Sequence, residues 1–123
     1  MSFGQAIAFG FSNFANFSGR ASKPEFWFWV LFALIGTICT NLIDAVIFVY
    51  HPGISPLSSI FTLVALLPSL AVAARRLHDT DRSGWWLLSA LTGLGVLLLL
   101  YWCSKEGTPG PNRFGAAPAF VTL

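Results

Sequence analysis

The sequence predicts an all-α integral membrane protein, with three transmembrane helices preceded by an interfacial amphipathic helix. Three observations predict it. Of the 123 residues, 55% are hydrophobic and only 10% are charged, against roughly a quarter charged in soluble domains, and a soluble chain this short could not bury so much apolar surface. The apolar residues gather into three runs of bilayer length. Ahead of the first run, phenylalanines recur at helical spacing.

In residues 1–18, projecting "SFGQAIAFGFSNFANF" at the helical period places Phe3, Ile7, Phe11, Phe14 and Phe17 on one side and Gln5, Ser12, Asn13 and Asn16 on the other. This pattern predicts a helix lying in the membrane interface, or one capping the helical bundle. Its polar face has no charge, so apolar burial must hold it.

The transmembrane helices are expected over residues 26–50, 57–74 and 85–103. At 1.5 Å per residue the shorter two reach roughly 27 to 29 Å, close to a hydrocarbon core of about 30 Å, and the first can span with tilt. Trp27, Trp29, Tyr50, Trp85, Trp86, Tyr101 and Trp102 stand at run ends, where amphipathic rings favour the interface. "HPGISP" joins the first two runs as a turn without Lys or Arg. Pro68 can kink the second. Residues 104–123 form a turn-rich tail.

Ser18 or Ser22 can cap the first long helix, with Pro24 and Glu25 suited to its first turn. Arg20, Lys23, Arg75, Arg76 and Arg82 fall beside spans on one side, Lys105 and Arg113 on the other. The positive-inside rule therefore favours a cytoplasmic N-terminus and a periplasmic C-terminus. No basic region of a signal peptide precedes the first run, which is expected to target the chain itself. Cys39 and Cys103 match no metal or redox spacing and read as packing residues. No metal or cofactor is expected, and a formal charge of +2 without a basic stripe gives no case for nucleic acid.

Three polar islands interrupt the apolar chain: "FSGRASKPEFW", "ARRLHDTDRSGWW" and "GTPGPNRFG". In that order, around three spans, they resemble the YhaH-like family of small bacterial inner-membrane proteins, a domain of unknown function (DUF805). The resemblance runs from Phe14 to Pro118, with no departure at the motif residues. It implies a multi-pass location in a bacterial inner membrane and supplies no mechanism.

In the middle island, helical spacing lets Asp79 pair with Arg75 at i,i+4 or with Arg76 at i,i+3. Asp81 or Ser83 can cap the third span, with Gly84 in the turn and Trp85 and Trp86 at headgroup depth. Capping and topology explain the aspartates, Ser83 and Gly84. The arginines invite more, because guanidinium binds phosphate through a bidentate fork. Arg75, Arg76, His78, Asp79 and Arg82, joined by Arg20 if the cytoplasmic islands converge, form the candidate site for an anionic lipid headgroup.

A lipid-modifying enzyme would draw on His78, Asp79, Asp81 and Ser83, but adjacent His and Asp on one helix diverge by about 100°, and no catalytic motif is present. Asp44, the single carboxylate inside a predicted span, marks the alternative of an oligomeric transporter or channel. The favoured reading is a non-enzymatic module whose partners are membrane lipids, other membrane proteins or a second copy. Small residues in "LTGLG" permit close helix contact within or between chains.

Overall fold

The computed structural model describes residues 2–116, and residues 117–123 of the expected tail lie outside them. Helix α1 spans Phe3–Ser12, α2 Lys23–Ile47 and α3 Pro56–Asp79; a 3-10 helix over Gly84–Thr92 then leads into α4, Leu94–Ser104. No strand occurs among the described residues, only an isolated bridge between Asn112 and Gly115.

A capping box starts α1. The Ser2 hydroxyl accepts from Gln5 N–H at 3.2 Å, and Gln5 Oε1 accepts from Ser2 N–H at 2.8 Å. The helix ends at Ser12 instead of continuing to residue 18, because Ser12 and Asn13 side chains donate to the last carbonyls, at Ala8 and Phe9. Its buried side is Ala6 and Gly10. A Cβ on Gly10 would lie 2.4 Å from the Trp29 ring, so glycine is what allows α1 to seat on α2. Phe11 meets Trp29 and Phe32 edge-on, while Phe14 and Phe17 lie beyond the helix and are exposed.

Helices α2 and α3 form an antiparallel pair, and both are long and apolar enough to cross a membrane. Ser22 caps α2 by accepting from Glu25 N–H at 3.3 Å, with Pro24 in the first turn. The pair closes on Gly36, where a Cβ would strike the Phe61 ring at 2.2 Å. Trp29, expected at the interface, is instead 1% exposed, and its indole donates to Ser69 Oγ at 2.9 Å. Pro68 leaves α3 continuous. Cys103 packs in the core, whereas Cys39 is exposed.

The third apolar run departs from expectation: residues 85–103 are not one helix. The 3-10 segment and α4 fold back on each other around Gly93, whose φ of +72° lies in the left-handed region that glycine tolerates. Hydroxyls favour the break. Ser89 and Thr92 donate to the carbonyls of Trp86 and Ser89, both at 2.7 Å, and Thr92 Oγ1 accepts from Gly95 N–H at 3.2 Å. A Cβ on Gly95 would fall 1.8 Å from the Ser89 carbonyl oxygen. The small residues of "LTGLG" thus serve a contact inside the chain. At about 2.0 and 1.5 Å per residue, the two limbs reach only roughly 18 and 17 Å, and Trp86 meets Trp102 where the hairpin's ends converge. The described tail consequently packs at the same end of the bundle as Arg20, while the C-terminal residues expected on the periplasmic side lie outside the described residues.

Candidate functional site

The three polar islands converge at that end. Asp79, in the last turn of α3, is 4% exposed. One oxygen accepts from Arg20 Nε at 2.9 Å, and the other pairs with Arg76 Nη1. The i,i+3 partnership read from the sequence is therefore formed, whereas Arg75 turns to Glu25, with 2.5 Å between Nη1 and Oε1. Glu25, read only as a favourable first-turn residue, is the counter-ion that sequence reasoning missed.

The arginines are further held by backbone. Arg20 donates to the carbonyls of Gly110 at 2.6 Å, Thr108 at 2.5 Å and Gly115 at 3.3 Å. Arg76 donates to Cys103 at 3.0 Å, Ala21 at 3.2 Å and Lys105. In return Thr108 N–H donates to the Asp79 carbonyl at 2.7 Å. Gly107 permits this embrace, because a Cβ there would lie 1.9 Å from Asp79 Oδ2. Arg75 keeps two donors, Nε and Nη2, buried without a hydrogen bond, and its guanidinium faces the Phe9 ring at 5.6 Å.

His78 sits beside this cluster on a separate task. Its Nδ1 lies 2.9 Å from the Gly19 carbonyl, and its ring stacks on Phe114 with centroids 4.0 Å apart. Asn112 donates to the His78 carbonyl at 2.9 Å. Arg82 points elsewhere, over the Trp102 ring at 4.3 Å.

The turn after α3 is a Schellman motif. Arg82 N–H donates to the Leu77 carbonyl and Asp81 N–H to that of His78, both at 2.9 Å, with Asp81 at φ +62°. Asp81 thus ends α3 and pairs with exposed Arg113 at 3.3 Å; it does not cap the next segment. Ser83 does, accepting from Trp85 N–H at 3.3 Å. Gly84 approaches α3, and Trp85 is largely exposed.

Of the expected site residues, Arg20, Arg75, Arg76, His78 and Asp79 come together, and Arg82 stands apart. Lys23 and Glu106 form an exposed pair at 3.2 Å on the rim. Asp44 lies at the other end of the bundle, buried, its two oxygens accepting from Leu57 N–H at 3.2 Å and Ser58 N–H at 2.9 Å. It caps α3, whose own Ser55 makes no side-chain cap bond.

Apolar helices of bilayer length, gathered under a polar clasp of arginines, define a small helical membrane protein. The family model described as "Protein of unknown function (DUF805)" matches residues 14–116, and the chain belongs to that family. It is 43% identical over 109 residues to the inner membrane protein YhaI of Escherichia coli K12, covering 88% of this chain and 90% of that one. Inner membrane protein YhaH of the same strain is 40% identical over 108 residues, covering 86% and 89%. An uncharacterised protein, YiiR, shares 37% over 81 residues, 46% of its length. No solved structure matches. The protein is a multi-pass protein of the inner membrane.

Proposed function

We propose that the chain is a non-enzymatic inner-membrane module that crosses the bilayer twice, through α2 and α3, and binds anionic lipid headgroups at its cytoplasmic end. In this reading the 84–104 hairpin enters from that end and returns, and α1 lies along the interface against α2. One observation carries it: the one-sided charge. All seven Lys and Arg residues stand at a single end, and the loop at the other end has none. Seven basic less four acidic side chains leave +3 there, with Asp44 alone at the far end. The positive-inside rule then makes both described termini cytoplasmic, where basic residues gain about 1 kcal/mol each near an anionic leaflet.

The roles divide by exposure. Arg20, Arg75 and Arg76 face internal partners and build the platform, leaving Lys23, Arg82, Lys105 and Arg113 to meet phosphate. The residue types of a hydrolytic site are engaged elsewhere: Asp79 by two arginines, His78 Nδ1 by Gly19. Asp44, which a transport reading needs, is engaged as a helix cap.

Two measurements test this. Reporter fusions at either terminus should give fluorescent green protein and inactive alkaline phosphatase; an active phosphatase at the C-terminus would restore three crossings. In native mass spectrometry, replacing Lys23, Arg82, Lys105 and Arg113 by Gln should lower retained anionic lipid roughly fivefold or more, and unchanged retention would overturn headgroup binding.

A further inference from the structure

A groove of about 470 Å³ opens beside the arginine clasp, between the end of α3, the 3-10 segment and the tail. Phe17, Leu70, Leu88 and Phe114 supply apolar walls, Trp85 stands at its mouth, and only His78 and Ser83 are polar. Three features aim His78 into it. The Gly19 carbonyl can only accept, so Nδ1 carries a hydrogen and donates, and in the Nδ1–H tautomer Nε2 is the acceptor. Stacking on Phe114 at 2° fixes the ring plane. Gly84 leaves the approach to Nε2 open, since a Cβ there would stand 3.5 Å from that nitrogen and 3.1 Å from Ala74 Cβ. Nε2 makes no hydrogen bond among the described residues.

We infer that this groove is a lipid site. One acyl chain lies along Leu70, Leu88 and Phe114, and a headgroup hydroxyl donates to His78 Nε2. The occupant is a glycerophospholipid with an anionic phosphate and a free hydroxyl on its headgroup. The apolar walls select a chain, and the lone acceptor selects a donor. The +3 charge of this end favours an anionic phosphate and disfavours an ammonium headgroup as that donor. The inference rests on the proposal that this end faces the anionic leaflet.

The test titrates the full chain in detergent with three lipids of matched acyl chains, read by native mass spectrometry. Phosphatidylglycerol carries the charge and the hydroxyls, phosphatidylmethanol the charge without a hydroxyl, and phosphatidylcholine neither. Phosphatidylglycerol should bind roughly fivefold tighter than phosphatidylmethanol, one hydrogen bond's worth. His78→Phe should erase that preference. Leu88→Trp, at an exposed groove wall that needs no refolding, should weaken both anionic lipids. Equal binding of the two anionic lipids, unchanged in Leu88→Trp, would overturn the groove while leaving headgroup binding at the basic end standing. No preference of either over phosphatidylcholine would overturn the basic-end reading and the inference with it.

Discussion

Helix α3 meets a buried carboxylate at each of its ends, and the two are stabilised in opposite ways. At its N-terminus Asp44 accepts two free backbone N–H groups and has the positive end of the helix dipole beside it, so no side-chain cation is needed. At its C-terminus Asp79 stands where carbonyls point outward and the dipole opposes negative charge. There the chain supplies Arg76 from the same turn and Arg20 from 59 residues away. The same side chain is a local cap at one end and the centre of a long-range assembly at the other.

Asp79→Ala leaves two buried guanidinium groups without their shared anion. Loss of about 3–5 kcal/mol is expected, measured by denaturant unfolding in mixed micelles. Asp44→Ala removes a cap and should cost about 1–2 kcal/mol in the same assay. If the two losses were equal, the distinction between cap and assembly would fail. Smallest is Asp81→Gly, which relieves a left-handed φ of +62° and gives up only an exposed pair with Arg113. A net stabilisation below about 1 kcal/mol is expected, and a loss larger than that would place Asp81 within the assembly.

What the sequence disclosed follows the range of the interactions. The Ser22 and Ser83 caps, Pro24 in its first turn and the Arg76–Asp79 pair all lie within four residues, where helical geometry dictates who meets whom. Arg75 with Glu25 spans 50 residues, and nothing local distinguishes that pairing from Arg75 with Asp79. The tail's part was hidden for another reason: it acts through backbone carbonyls at Thr108, Gly110 and Gly115, which no side chain advertises. In the third apolar run, length and hydropathy favour one spanning helix. Only Ser89, Thr92, Gly93 and Gly95 speak for a reversal, and the contact of Gly95 with the Ser89 carbonyl exists only once the chain has turned. Convergence of Arg20 with the middle island was foreseeable from a shared membrane face, but its use on internal partners required the fold.

The tail's hold on the arginines also orders events during biosynthesis. Arg20 and Arg76 are made early, yet five of their six carbonyl acceptors, on Cys103, Lys105, Thr108, Gly110 and Gly115, belong to the last fifth of the chain. Until the ribosome has completed that stretch, Asp79 and the Ala21 carbonyl are the protein acceptors already made, and the donors that the tail will take are left to water or lipid phosphate at the membrane surface. A chain that stops short of residue 105 therefore leaves open a basic end that the tail's carbonyls close in the finished protein.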